Sequence, residues 1–198
     1  MTSPTVLVIP GSARRQALSR RMAAAAAAAL TEAGAAVTLL DLADHPLPLY
    51  NGDLEASQGL PAGVVHLQRL IASHQALLVA TPEYNGSVPA LLKNTLDWCS
   101  RADPGNPAGS GGAIYANKPA AIVSTSPGAL GGMRALFHLR DMLGYLGMLV
   151  VPQQLAIGQA DKAFGPDGTL LDERHVKALT AVAQTLVSTA ARLSATRL

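Results

Sequence analysis

The segment that most constrains the fold of this chain runs from residue 76 to residue 98. Its first five residues are all apolar, which is typical of a parallel strand that is buried on both faces. Proline, asparagine and glycine residues then end the strand, and the sequence predicts a helix that begins near Pro89 and is capped by Ser87. A polar loop is therefore predicted at the carboxyl end of a buried strand, which is where open α/β sheets bind their ligands.

A second loop of this kind follows a predicted strand at residues 5–9, which is apolar from Val6 onward. Gly11 permits a tight turn, Ser12 offers a hydroxyl group, and Arg14 offers a forked guanidinium that suits phosphate oxygens. The helix predicted behind this loop adds free N–H groups and the positive end of its dipole. Because the loop lacks both the Walker and the dinucleotide glycine patterns, the residues favour a phosphate site and an ordinary solvated loop about equally.

Strand and helix patterns alternate along the chain. The predicted strands are residues 5–9, 36–41, 76–80, 119–124 and 149–151, the last continuing irregularly over 153–157. The predicted helices are residues 16–33, 66–73, 89–100, 133–146 and 172–193, and long loops are predicted at 44–63 and 101–117. This alternation predicts one α/β domain over residues 1–198 with a doubly wound, five-stranded parallel sheet.

The order of the strands decides which loops share a site. In the flavodoxin-like order 2-1-3-4-5, strands one and three are neighbours at the switch point. The loops after strands one, three and four would then meet at one edge of the sheet. One ligand with a terminal phosphate, a ribityl arm and a flat ring would reach all three, and FMN has that shape.

Composition excludes several other classes of protein. The net charge is only +2, and no basic stripe with interleaved aromatic residues is present, so we expect no nucleic-acid partner. With 49% hydrophobic and 14% charged residues, the chain is apolar enough to suggest a homo-oligomer. No basic-then-apolar leader and no membrane-length apolar run is found, so a cytoplasmic protein without a membrane segment is expected.

The residues also argue against metal and disulfide chemistry. Cys99 is the one cysteine, so it cannot form an internal disulfide, and it is predicted to be an apolar core residue, with a reactive thiol as the alternative. The five histidines share no ligand spacing, and no metal site is expected. No triad and no pair of carboxylates stands out, so no catalytic side chain is predicted.

Three motifs together resemble those of the NADPH-dependent FMN reductase family, which includes quinone, azo-dye and chromate reductases. The first is Gly-Ser-Ala-Arg at residues 11–14. The second is Pro-Glu-Tyr-Asn-Gly-Ser-Val-Pro at 82–89, followed by Leu-Lys-Asn at 92–94 and Asp-Trp at 97–98. The third is Ser-Pro-Gly at 126–128 with Gly-Gly-Met-Arg-Ala at 131–135. The resemblance covers nearly the whole chain.

The resemblance implies FMN that is held without a covalent bond. The residues it assigns to the phosphate are Ser12, Arg14 and Ser19. Those it assigns to the ring, largely through backbone groups, are Pro82, Glu83, Tyr84 and Asn85, with Ser126 and Gly128 closing the other side. Ala17 departs from the family, which often has a serine there, so one phosphate hydroxyl is missing.

Some residues near these motifs have two interpretations. Tyr84 is predicted to contact the flavin rather than to be a plain core or surface aromatic, whereas Trp98 is predicted to pack in the core. Lys93 and Asp97 stand four apart and are expected to pair. Arg134 could reach a phosphate of NADPH or a neighbouring subunit, or could simply be solvated.

The predicted function is that of an FMN-dependent NAD(P)H oxidoreductase. Nicotinamide would reduce FMN, and a quinone, azo compound, free flavin or metal oxyanion would then take the electrons at the same face. The expected assembly is a homodimer or homotetramer formed through the helices at 89–100 and 133–146. The alternatives are a flavodoxin-type electron carrier and a regulatory flavoprotein without turnover. The isoelectric point near 8.9 favours the enzyme over a carrier, since such carriers tend to be acidic.

Overall fold

Within residues 3–195, which the computed structural model describes, five strands alternate with six α-helices. The strands are β1 (Thr5–Pro10), β2 (Ala36–Leu39), β3 (Ala76–Pro82), β4 (Pro119–Thr125) and β5 (Leu149–Ile157). The helices are α1 (Leu18–Glu32), α2 (Gly52–Gln58), α3 (Ala62–Ser73), α4 (Ala90–Cys99), α5 (Met133–Tyr145) and α6 (Glu173–Ala195).

All five strands lie parallel in one sheet with the order β2-β1-β3-β4-β5. This order confirms the prediction of a flavodoxin-like sheet. The register places Pro10 beside Ala80 and Pro82 beside Thr125. The carboxyl ends of β1, β3 and β4 are therefore nearly level, and the loops that follow them leave the same edge of the sheet.

The sheet separates two apolar cores, because successive side chains of a strand point to opposite faces. In β1, Val6 and Val8 pack with α1 and α6. Leu7 and Ile9 pack on the other face with α3, α4 and α5. β1, β3 and β4 are buried on both faces, which explains their continuous apolar runs.

The structure corrects the predicted loop at 44–63. Helix α2 lies inside it, capped by Asn51, whose side chain accepts a hydrogen bond of 2.8 Å from the Asp53 N–H. α2 has no buried residue, so the sequence carries no apolar period to reveal it. α3 also begins at Ala62, four residues before the predicted start.

The predicted surface excursion at 101–117 is also more ordered than expected. It contains two 3₁₀ turns, Pro107–Gly109 and Gly111–Ile114. Ile114 and Tyr115 are buried in the core beside α3 and α4. The prediction of a purely superficial segment was therefore wrong for its second half.

Helix α4 confirms two predictions and contradicts one. Trp98 is buried and donates an indole hydrogen bond of 2.8 Å to the Pro48 carbonyl. Cys99 is also buried, and this burial raises the pKa of its thiol to about 12, so it is a core residue rather than a reactive thiolate. Ser87 does not cap the helix; the cap position is Pro89, and no side chain caps it.

The described residues also bear on membranes and metals. No helix among residues 3–195 is long and apolar enough to cross a membrane. The same residues contain no group of three or more His, Cys, Asp or Glu side chains placed to hold a metal ion.

Candidate functional site

Three loops meet at the carboxyl edge of the sheet. We call them the first loop (residues 11–17, after β1), the second loop (residues 83–89, after β3) and the third loop (residues 126–132, after β4). The first loop is tied to β3 by a hydrogen bond of 2.8 Å from the Gly11 N–H to the Ala80 carbonyl. Ser12 Oγ lies 3.4 Å from Tyr84 Oη, so the first and second loops touch.

The first loop has the features of an anion site. Ser12 is buried, and its Oγ accepts a hydrogen bond of 3.3 Å from the Arg14 N–H. The Arg14 side chain is exposed and forms no ion pair with any residue in 3–195. Arg20 is committed elsewhere, because its guanidinium pairs with Asp41.

Helix α1 starts at this loop without a side-chain cap. Its cap residue, Ala17, is buried and offers no hydroxyl to the first-turn N–H groups. Ser19 follows in the first turn and is buried, yet its Oγ has no hydrogen-bond partner within the described chain. A buried hydroxyl without a partner is costly, so an acceptor or donor from a ligand fits this position.

The second loop is a tight turn that presents Tyr84. The Tyr84 N–H donates to the Ser87 carbonyl at 2.9 Å, and the Ser87 N–H donates to the Tyr84 carbonyl at 3.0 Å. Asn85 and Gly86 between them both have positive φ, 51° and 78°. The Asn-Gly pair is the sequence signal for such a turn. Tyr84 and Asn85 are exposed at the rim, next to Pro82 at the end of β3.

Glu83 is turned away from the rim. Its carboxylate accepts hydrogen bonds from the Arg134 N–H at 3.2 Å and from Arg134 Nε at 2.7 Å. Arg134 is therefore engaged within the chain rather than free in solvent. The Glu83 carboxylate is thus occupied by Arg134, which leaves its backbone groups for the ring contact that the resemblance implies.

The third loop packs closely on the end of β5. Gly131 has a φ of 63°, and a Cβ added there would lie 2.6 Å from the Gly158 nitrogen. Ser126 donates its N–H to the Ile157 carbonyl at 3.1 Å and accepts at Oγ from the Gly128 N–H, also at 3.1 Å. Ser126 and Gly128 thus lie on the third loop as predicted, held in place by β5.

Sequence reasoning missed one residue at this edge. Thr125 ends β4 and is buried, and its Oγ1 has no hydrogen-bond partner among the described residues. The sequence could have indicated Thr125, because it carries a hydroxyl group on the last residue of a strand whose carboxyl end lies at the edge where the three loops meet. Thr125 therefore joins Ser19 as a buried hydroxyl open to a ligand.

The fold and the three converging loops define a flavodoxin-like domain that binds a mononucleotide. The model of the family described as NADPH-dependent FMN reductase matches residues 4–162, and the chain belongs to this family. It is therefore an oxidoreductase with FMN as its cofactor and NAD(P)H as its reductant, as predicted.

Named relatives agree with this assignment. An NAD(P)H-dependent FMN reductase of Pseudomonas aeruginosa is 38% identical over 146 residues, which is 73% of each chain. A 2-hydroxy-1,4-benzoquinone reductase of Burkholderia sp. is 32% identical over 85% of this chain and 86% of its own. Among solved structures, the flavoenzyme NAD(P)H:(acceptor) oxidoreductase FerB of Paracoccus denitrificans superposes with a TM-score of 0.78 at 32% identity, covering 96% of this chain and 98% of FerB.

The contact between the third loop and β5 leads to a prediction about Gly158. A methyl group at this position would lie 2.4 Å from the Ala129 carbonyl oxygen, so Gly158→Ala must displace the third loop. We expect FMN affinity to fall about tenfold or more, which is ~1.4 kcal/mol or more of binding free energy. Titration of the apoprotein with FMN, followed by flavin fluorescence, measures the effect.

Gly144 supplies the control for this change. It lies in α5, and a Cβ added there meets no atom within 4 Å. Gly144→Ala should stabilise the fold by roughly 0.5–1 kcal/mol and leave FMN affinity unchanged. An unchanged FMN affinity in Gly158→Ala would show that the position of the third loop does not matter for the cofactor.

Proposed function

We propose that this enzyme is an NAD(P)H-dependent quinone reductase whose FMN lies across the three loops, with residues 1–198 acting as one FMN-binding domain. The observation that carries the position of FMN is that Ser19 Oγ and Thr125 Oγ1 are buried at this edge without a partner among the described residues. Tyr115 Oη is a third such hydroxyl, but it lies in the core with α3 and α4. Val123 packs in the core together with Met22 of α1. Thr125 is two residues further along the strand and so lies on that same side of the sheet as Ser19.

The first loop would hold the phosphate. Ser12 and Ser19 would donate hydroxyl hydrogen bonds. Arg14, whose guanidinium forms no ion pair within residues 3–195, would add a charge-assisted pair. The uncapped first turn of α1 adds backbone N–H groups and its dipole. Ala17 offers no hydroxyl, so these groups share the charge without one of the family's usual donors.

The other two loops would hold the ring. Pro82, Glu83 and Asn85 would meet it from the second loop through backbone groups, with the exposed Tyr84 at its edge. Ser126 and Gly128 would close the opposite side. Bound there, FMN would supply the hydride chemistry that carries electrons from NAD(P)H to the acceptor. The protein's part is to orient the substrates against the ring and to limit the access of water.

The surface beside Tyr84 supports a quinone as the electron acceptor. A cavity of about 420 Å³ opens there, and its apolar lining residues are Tyr84, Val88, Ala90 and Met142, with Asn85, Ser87 and Lys93 as the polar ones. Apolar side chains with a few polar groups suit a flat ring that carries oxygen atoms. Relatives named as quinone reductases, at 32% and 36% identity over 85% of this chain, support the same choice. Because NAD(P)H is the reductant, we expect the enzyme to work in the cytoplasm.

Arg14 is the first test of the phosphate site. A hydrogen bond to a charged group contributes ~1.5–3 kcal/mol, so Arg14→Ala should weaken FMN binding by about ten- to a hundredfold. Fluorescence titration of the apoprotein measures this. Arg15→Ala is the matched control and should matter less; equal losses at both positions would point to a general electrostatic patch. Ala17→Ser should recover part of the affinity.

The kinetic order tests the shared site. If donor and acceptor use the same ring face in turn, NAD(P)H and a benzoquinone should give parallel lines in double-reciprocal plots, and each should compete with the other at high concentration. Tyr84→Ala should impair both half-reactions, measured separately by anaerobic stopped flow. Intersecting lines, or a variant altered only toward the quinone, would contradict this order. The kcat/KM values for azo dyes, free FMN and chromate, measured in place of the quinone, rank the acceptor classes.

We also propose a homo-oligomer in which α4 and α5 form the contact. Three side chains of α5 are exposed although apolar or aromatic: Met133, Phe137 (54%) and Tyr145 (92%). A groove of about 450 Å³ between the two helices is lined in part by Leu96 and Leu146. Exposed apolar side chains grouped on one helix beside such a groove are typical of an interaction surface.

Light scattering tests this assembly. A dimer or tetramer is expected at micromolar concentration, and Phe137→Glu together with Tyr145→Glu should shift the mass toward the monomer because the interface would then bury charge. A wild-type monomer would rule the assembly out.

A further inference from the structure

Helix α5 holds both flanks of the turn in the second loop. Arg134 contacts Glu83, the residue before the turn, through its N–H at 3.2 Å and its Nε at 2.7 Å. His138 Nδ1 lies 2.9 Å from the Oγ of Ser87, the residue that closes the turn. Residues 134 and 138 are four apart, so they lie on one face of α5.

The turn needs this support. Its own contacts are the two backbone hydrogen bonds between Tyr84 and Ser87, and an isolated turn of this kind is marginal in water. Asn85 occupies the left-handed region, which is uncommon for a residue other than glycine. Outside the turn, Tyr84 Oη lies 3.4 Å from Ser12 Oγ, and the contacts with α5 hold the chain on both sides of Tyr84 and Asn85.

The ion pair is suited to this task. The Glu83 side chain is only 7% exposed, whereas that of Arg134 is 61% exposed. A carboxylate shielded to this degree costs free energy when it has no partner, so the Glu83 carboxylate keeps its ion pair with Arg134. The Arg134 N–H belongs to the first turn of α5, where a negative charge is favoured by the helix dipole. The pair thus fixes the start of the turn to a rigid element.

We propose that Arg134 and His138 are positioning residues that keep the turn at residues 84–87 in the geometry in which it meets FMN and its substrates. This inference rests on the proposed function, because the turn has to line the site. Neither side chain has to touch a ligand. Loss of either contact lets the turn move, so substrates bind less well while the reaction at the ring is less affected.

The chain contains a matched control for Arg134. Asp172, just before α6, accepts hydrogen bonds from the Arg174 N–H at 2.8 Å and from Arg174 Nη2 at 2.9 Å. This is the same arrangement of a carboxylate with an arginine in the first turn of a helix, but it lies outside the three loops. Arg174→Ala therefore removes a pair of the same hydrogen-bond pattern without touching the turn, although Asp172 is more exposed than Glu83, at 35% against 7%.

Two measurements on the FMN-loaded enzyme test the proposal: hydrogen exchange of the peptide covering residues 83–88, and the kcat and KM values for NAD(P)H and a benzoquinone. In Arg134→Ala and in His138→Ala we expect this peptide to exchange about three- to tenfold faster, as for the loss of contacts that order a local segment. KM should rise by about the same factor, and kcat should change less. Arg174→Ala should leave both readouts at their wild-type values.

Conservative variants separate positioning from a general loss of stability. His138→Asn keeps a group able to bond Ser87 Oγ and should restore slow exchange. Arg134→Lys keeps the charge but not the forked geometry, so hydrogen exchange of this peptide should be only partly slowed relative to Arg134→Ala. Recovery of the exchange rate together with KM supports the proposal.

The other outcomes each overturn a definite part of it. If neither readout changes in Arg134→Ala and His138→Ala, the two residues do not position the turn, and the proposed function stands. If exchange accelerates and KM stays constant, the turn does not line the site, and the proposed assignment of the second loop falls with the inference. If KM rises while exchange stays slow, Arg134 or His138 contacts a ligand directly, and the positioning role is wrong.

Discussion

The hydrogen-bonded register of β1, β3 and β4 is the constraint on which the rest of this structure depends. All three strands are buried on both faces, so a slip of one residue would exchange the two cores. Leu77 would have to leave the α4 side and Leu78 the α1 side. Because the cores fix the register, they also fix where each strand ends, and the level ends bring the three loops together.

The core fixes the sheet, but the site is left incomplete. Ser19 and Thr125 keep buried hydroxyls without partners in the described chain, and each such group costs ~1–3 kcal/mol relative to a satisfied one. A ligand that bonds both recovers this cost, since anything that binds only the folded state stabilises it. In the proposed position FMN would bond both hydroxyls, so the same pair of atoms would contribute to the affinity for the cofactor and to the stability of the fold.

The sequence predicted the central strands and the long helices because burial leaves a pattern. Continuous apolar runs marked β3 and β4, and the motifs placed Ser12, Tyr84 and Ser126 on the three loops. Helix α2 buries no residue and therefore left no pattern.

Contacts between distant residues were equally invisible in the sequence. Ser87 had the local features of a helix cap, but its hydroxyl bonds His138, 51 residues away. Glu83 could be placed on its loop by motif, whereas its pairing with Arg134 depends on the packing of α5 against the edge of the sheet.

At the start of α1, alanine in place of serine at position 17 changes which groups are available to bind an anion. A serine at position 17 would cap the helix and donate to a phosphate, but Ala17 does neither, and its burial keeps water from taking that place. In the site that we propose, the phosphate would be bound by the Ser19 hydroxyl, which has no partner among the described residues, and by Arg14, which forms no ion pair among them. The Arg20 N–H already donates to the Ala17 carbonyl at 3.0 Å, so only the earlier N–H groups of α1 could join them. Bound in this way, the phosphate would complete the helix terminus as well as the site, and cofactor binding would stabilise this end of the fold.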